Sequence, residues 1–235
     1  HQSSPGLEAL VRWHHPERGM IPPNDFIPFA EQNNMISLIT RWVIDKAIDQ
    51  CASWIKEGVV NNVSVNVSPQ DFIESHVLDP EWIVKLMQNR GIPPGALVLE
   101  VTENLLIKNS PRVEEQLRDL NAKGIELSLD DFGTGYSSLT YLHQLPVKEV
   151  KIDQSFVKKL DHKNKLLIVK SIVDLGHNLG LRVIAEGVET KNHVDALKSM
   201  GCKRLQGYYF SKPKPAEEID QWLRSYHGTY SESWL

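Results

Sequence analysis

Lys123-Gly124-Ile125-Glu126-Leu127-Ser128-Leu129-Asp130-Asp131-Phe132-Gly133-Thr134-Gly135 contains one full junction of a pattern that repeats along this chain. The amphipathic segment before it, Arg112 to Lys123, ends on Gly124. Glycine tolerates the left-handed backbone that closes a helix. Ile125 to Leu129 is then a short, mainly apolar run bounded by turn chemistry, which reads as a strand. Two acids, Asp130 and Asp131, stand at its tip. In an extended chain they point in different directions; at a turn they can reach two ions a few ångströms apart. Gly133 and Gly135 permit a tight excursion just beyond them.

Working outward, the same junction recurs. Gly91-Ile92-Pro93-Pro94-Gly95, Leu179-Gly180 and Met200-Gly201 each place a glycine at or just past a helix end, with apolar residues next. Strands are predicted at Leu7–Trp13, Asn62–Val67, Leu97–Thr102, Ile125–Leu129, Glu149–Ile152, Leu181–Ala185 and Lys203–Gln206. Helical segments fall at Pro23–Asn33, Leu38–Glu57, Pro80–Arg90, Arg112–Lys123, Asn164–Leu179 and Asn192–Met200, and a last one begins near Pro215. Repeated strand–helix–strand units imply parallel pairing with right-handed crossovers. The expected fold is an α/β, TIM-like (β/α)8 barrel that lacks its first strand, which would most simply precede His1. A doubly wound open sheet is the alternative, but no Gly-x-Gly-x-x-Gly turn supports it.

The chain has 235 residues, 41% of them hydrophobic, enough for one large core. The net charge of −4 argues against binding to DNA or RNA duplexes, whose backbones select positive surfaces. An anionic ligand stays compatible if metal ions supply positive charge. Cys51 and Cys202 have no paired spacing and read as buried thiols in a reducing cytoplasm. No window approaches the roughly 18 apolar residues of a membrane span. The opening His1-Gln2-Ser3-Ser4-Pro5 is neither a start methionine nor a signal peptide, and reads as part of a longer protein, whose upstream segments would supply any membrane anchor. Residues 1–227 are expected to form the domain and 228–235 a polar tail.

In a parallel barrel, chemistry sits where strands end at their C-terminal side. Here those ends carry acids strand after strand: Glu100 and Glu103, Asp130 and Asp131, Asp153 beside Lys151, and Glu186 and Glu189. Glu8, Leu10 and Arg12 share one face of the first strand, and Ser64, Asn66 and Ser68 one face of the second. Gln206 closes the last. Singly, each has a plain structural alternative. The acids serve as helix N-caps, the serines satisfy backbone groups, Arg12 forms a surface ion pair, and Lys151 snorkels to water. Together, carboxylates crowded at one rim repel, and divalent cations are the natural neutraliser. All-oxygen donors with an Asn carbonyl suit Mg²⁺ or Mn²⁺. Zinc is not suggested: His14-His15 reads as loop, and no His pair has helix-face spacing with a Glu between.

Glu8-Ala9-Leu10-Val11-Arg12-Trp13, Ser64-Val65-Asn66-Val67-Ser68, Glu100-Val101-Thr102-Glu103, Asp130 through Ser138, Lys151-Ile152-Asp153, Ala185-Glu186-Gly187-Val188-Glu189 and Gln206-Gly207-Tyr208 stand in order and at barrel spacing. In these motifs the chain resembles the EAL-domain phosphodiesterases specific for cyclic di-GMP, from Glu8 to Pro215. The resemblance implies two divalent cations, Mg²⁺ or Mn²⁺. Glu8, Asn66, Glu100 and Asp130 would hold the first; Asp130 would bridge to the second, with Asp131 and, through water, Glu189. Lys151 and Glu186 would hold and deprotonate the attacking water. Arg12, Leu10 and Asp153 would contact substrate, Glu103 would steady the Asp131–Ser138 loop, and Gln206 would lie behind the metal ligands.

The activity so implied is hydrolysis of cyclic di-GMP to linear pGpG by in-line displacement of the ribose 3′ oxygen, in a bacterial cytoplasm. The resemblance further implies an upstream sensory or regulatory domain and a homodimer whose contacts near the Asp130–Ser138 loop tune turnover. Family members usually carry a helix and a first barrel strand ahead of the EAL segment, and this chain begins after that point. Two alternatives remain at this stage: a catalytically silent receptor for cyclic di-GMP, and a barrel glycosidase using two carboxylates. The second accounts for paired acids but not for Lys151 or Asn66.

Overall fold

A computed structural model describes residues 4–73, 77–103, 105, 111–134, 142 and 145–226. The residues 135–138 of the acidic loop and the tail 228–235 therefore lie outside the described residues. The chain divides into two compact units, one of His1–Val98, Lys123–Ile125 and Pro213–Leu235, the other of Leu99–Ala122 and Glu126–Lys212.

In the first unit, β1 (Gly6–Ala9) pairs in parallel with β4 (Asn62–Asn66), placing Glu8 opposite Ser64. Between them lie an antiparallel ribbon, β2 (Trp13–His15) with β3 (Gly19–Ile21), and the helices Pro23–Gln32 and Ile36–Lys56. The helix Pro80–Asn89 follows β4, and Ala216–Tyr226 closes the unit. Trp54 donates its indole N–H to Asp220 at 2.7 Å, tying that last helix to Ile36–Lys56. Ile44, Ile48, Val63, Val65, Phe72, Ile83 and Met87 are buried.

The ribbon corrects the sequence reading. The predicted first strand ran to Trp13, but β1 stops at Ala9, and His14-His15, expected in a loop, lies in β2. Strand period 2 therefore does not carry Leu10 and Arg12 onto the face of Glu8. The physical reason is Trp13, whose ring packs edge-on against Phe26 at 5.7 Å and draws the chain into a separate turn.

Strand β5 (Leu97–Thr102) carries the chain from one unit into the other. In the second unit, β6 (Glu126–Phe132), β7 (Glu149–Ile152), β8 (Arg182–Ala185) and β9 (Arg204–Leu205) pair in parallel, each with the next. The helices Pro111–Ala122, Lys163–Asn178 and Lys191–Ser199 alternate with these strands. Gly176 lets Lys163–Asn178 lie close on β8, since a Cβ there would meet Val183 at 2.2 Å. Strand order follows chain order in both units, without the reversal that defines a doubly wound sheet. The fold class is thus the expected α/β barrel type, with seven parallel strands, β1 and β4 to β9, among the described residues.

The helix-closing glycines behave as their positions require: φ is 86° at Gly124 and 85° at Gly201. Cys51 and Cys202 are free and buried, and burial pushes their thiols up to about 12 and about 11.

Candidate metal centre and active site

Lys151 is the electrostatic centre of the second unit. It lies in β7, all four of whose residues are buried, and it is itself only 1% exposed. A lysine side chain only 1% exposed does not reach water, so the snorkelling alternative is excluded and its charge must be matched in place. Its ammonium lies 2.8 Å from Glu100 in β5, 2.7 Å from Glu186 just past β8, and 3.9 Å from Asp130 in β6. Glu100 is 2% exposed. Three carboxylates thus face one ammonium.

A β-bulge delivers Asp130 and Asp131 together. Leu129 pairs with Val150 and Phe132 with Ile152, so two residues of β6 face the single residue Lys151 of β7. This is why the strand, predicted to stop at Leu129, runs on to Phe132. Asp131 sits at φ 55°, a left-handed conformation rare outside glycine. Its N–H donates to Asp130 Oδ1 at 2.9 Å, and its carbonyl accepts from the Thr134 hydroxyl at 2.9 Å. Gly133, at φ 97°, continues the turn, with Phe156 and Ile172 pressed so close that a Cβ would meet both at 3.3 Å.

The result is a group of oxygen donors: one carboxylate oxygen from each of Asp130, Asp131 and Glu186, all within 4.8 Å of one another. Crowding shows in the pKa of Asp131, which is pushed up to about 6, first by burial, then by the charges of Asp130 and Asp153 and a hydrogen bond shared with Asp153, with Lys151 opposing. Like charges held this close favour a cation. The donor set is all oxygen, and so fits a hard divalent ion.

Other expected residues take different places. Asp153 accepts from the Ser155 N–H at 3.0 Å and caps the turn Gln154–Val157, the N-cap role open to such acids, while its carboxyl also meets Asp131. Glu189 is not in the donor group; it pairs with Lys158 at 3.1 Å, and its N–H donates to His193 Nδ1. The backbone of Gln206 stitches the loops after β8 and β9, accepting from the Val188 N–H and donating to the Ala185 carbonyl. Gly187, at φ 67°, sits so near Gln154 that a Cβ would lie 2.5 Å from that residue's Cβ. Glu103 is buried just past β5.

In the first unit, Asn66 at the end of β4 donates its amide to Glu8 Oε1 at 2.8 Å. In that orientation the amide carbonyl is not the atom that meets Glu8. Leu10 and Arg12 are exposed, and the Arg12 guanidinium donates to the Val11 carbonyl. Sequence reasoning passed over Asp71, fully buried and bonded to Ser68 and Thr40. The spacing Ser68-x-x-Asp71 is a capping-box signature and was the available signal.

An EAL domain profile matches residues 1–213. Among relatives, the chain is 41% identical to the oxygen sensor protein DosP of Escherichia coli over 222 residues, covering 94% of this chain and 28% of that protein. It is 40% identical to the bifunctional diguanylate cyclase/cyclic di-GMP phosphodiesterase MucR of Pseudomonas aeruginosa over 216 residues, covering 91% of this chain and 31% of that one. The chain thus spans about a third of these relatives. A solved structure, the PaMucR phosphodiesterase in complex with c-di-GMP, is similar with a TM-score of 0.84 and 40% identity, over 90% of this chain and 86% of that one. No described helix is long and apolar enough to cross a membrane.

Proposed function

The chain belongs to the EAL domain family, and from that premise we propose that it is a metal-dependent phosphodiesterase that hydrolyses cyclic di-GMP to linear pGpG. The observation that carries this reading is buried Lys151, locked between Glu100 and Glu186 beside the Asp130–Asp131 bulge. Beside that lysine, carboxylate oxygens of Asp130, Asp131 and Glu186 lie within 4.8 Å of one another, the crowding that a cation relieves.

In this proposal Asp130 and Asp131 hold divalent cations, Mg²⁺ or Mn²⁺, with Glu8, Asn66 and Glu100 as further oxygen donors and Glu189 acting through water. When bound, such cations acidify water and offset charge on the phosphate. The chain's own residues do the rest. Glu186 accepts a proton from the attacking water. Lys151, fixed on both sides, offsets negative charge as it develops on the nucleophile or phosphate without reorganising. Water oxygen bonds to phosphorus as the bond to the ribose 3′ oxygen breaks, and that oxygen takes up a proton. Arg12, Leu10 and Asp153 are assigned to substrate contact, Glu103 to steadying the Asp131–Ser138 loop, and Gln206 to support behind the ligands. Residues 1–227 form the domain, in a bacterial cytoplasm, joined to a regulatory domain and acting as a homodimer.

The test is direct. The full chain is incubated with cyclic di-GMP and Mg²⁺ or Mn²⁺, and pGpG is followed by chromatography. Turnover is expected, lost in EDTA and restored by either metal. Tight binding of cyclic di-GMP with no pGpG under any metal would instead identify a silent receptor.

A further inference from the structure

We infer that Asp71, with Thr40, is a positioning residue that sets the metal-binding pose of Asn66. This rests on the reading of Asn66 as a cation ligand. Among the described residues of the first unit, Asp71 is the one charged side chain that is fully buried. Burying a carboxylate costs several kcal/mol unless hydrogen bonds compensate. A buried acid so close to a site residue is placed to orient that residue's backbone as well as to cap the turn.

Its bonds show what it orients. Asp71 Oδ2 accepts from the Thr40 hydroxyl at 2.8 Å and from the Ser68 N–H at 2.8 Å. Thr40 belongs to the long helix Ile36–Lys56 and is itself buried. The Ser68 hydroxyl donates to Glu31 Oε1 at 2.7 Å, on the helix Pro23–Gln32, and accepts from the Gln70 N–H. Two helices thus grip Ser68, two residues past Asn66. On the other side Asn66 is held by β4, in register with β1. Asn66 is the last strand residue. Ladder pairing fixes the chain before it, and the Thr40–Asp71–Ser68 bonds fix the chain after it. Without the second clamp the Asn66 side chain can swing, and its amide loses the angle at which it meets Glu8.

Groups that orient metal ligands from behind typically change metal affinity about 10- to 100-fold when removed. Asp71 acts through backbone, so the lower end applies. In the full chain, Mn²⁺ binding is measured from the electron paramagnetic resonance of free Mn²⁺, beside Tm in EDTA. Thr40→Val and Asp71→Leu are expected to weaken binding about tenfold, and Thr40→Ser, which keeps the hydroxyl, to stay within about twofold of wild type. If Asp71→Leu fails to fold, the Thr40 pair decides. Asn66→Ala separates the two levels of the argument. If it binds Mn²⁺ like wild type, Asn66 is not a ligand and the inference falls with that reading. If it weakens binding while Thr40→Val and a folded Asp71→Leu lower Tm but bind like wild type, Asp71 is structural and only the positioning role is overturned.

Discussion

Lys151→Met removes the charge on which the second unit's acids depend while keeping most of the side chain's volume. At an effective dielectric of about 20, each of the contacts to Glu100 and Glu186, at 2.8 and 2.7 Å, is worth roughly 6 kcal/mol of gross attraction. Most of that is offset by desolvation of the buried ions, and removing one partner of a buried pair typically leaves a net loss of about 3–5 kcal/mol. The orphaned carboxylates then sit in a dry, negative setting, and their folded-state pKa values rise above the unfolded ones. Such groups bind more protons folded than unfolded, so the variant loses stability as pH rises. The assay is urea unfolding followed by circular dichroism at pH 5 and pH 8, in EDTA and in excess Mg²⁺. A deficit of about 3–5 kcal/mol is expected at pH 8 in EDTA, smaller at pH 5, and reduced by Mg²⁺, which replaces part of the missing positive charge. Turnover should stay down about a hundred- to a thousandfold even where stability is recovered, because loss of a preorganised electrostatic contact has that size. A Lys151→Met protein as stable as wild type at pH 8 in EDTA would refute the idea that Lys151 neutralises this cluster.

Asp131, pushed up to about 6, favours its protonated form when folded, so its contribution to stability is lost as pH rises from about 4 through about 6. The Tm of Asp131→Asn relative to wild type in EDTA should therefore climb across that window, and Mg²⁺ should reverse the order. Gly187→Ala forces a Cβ to 2.5 Å from that of Gln154 at a positive φ; a loss of about 3 kcal/mol and a displaced Glu186 are expected, read as a lower Tm with a fall in kcat. Arg182 pairs with Glu126 and with buried Glu149 at the start of β6, β7 and β8. Arg182→Met should lower stability by about 2–3 kcal/mol in denaturant titration and leave kcat near wild type, since it lies at the strand ends opposite the acids.

Much of the architecture was legible because its causes are local. A helix that ends at Ala122 announces itself by amphipathic spacing and Gly124, and the short strand β7 was read to its observed limits, Glu149–Ile152. Acids at strand ends were visible for the same reason. Elements governed by contacts far along the chain were not. The break after Ala9 follows from Trp13 meeting Phe26, and no residue near Ala9 signals it.

The motifs alone therefore placed this chain in its family, set the order of strands and helices, and named Glu100, Asp130, Lys151 and Glu186 as residues of one rim. Tertiary structure alone decided how they act. Burial of Lys151 depends on carboxylates drawn from β5, β6 and the end of β8, far apart in sequence. The bulge that turns Asp131 to φ 55° depends on register with β7. The weakened acidity of Asp131 and the clamp of Asp71 on Ser68 arise only when those groups meet. Periodicity and capping are interactions between near neighbours, whereas charge balance and desolvation are summed over every group the fold brings within a few ångströms.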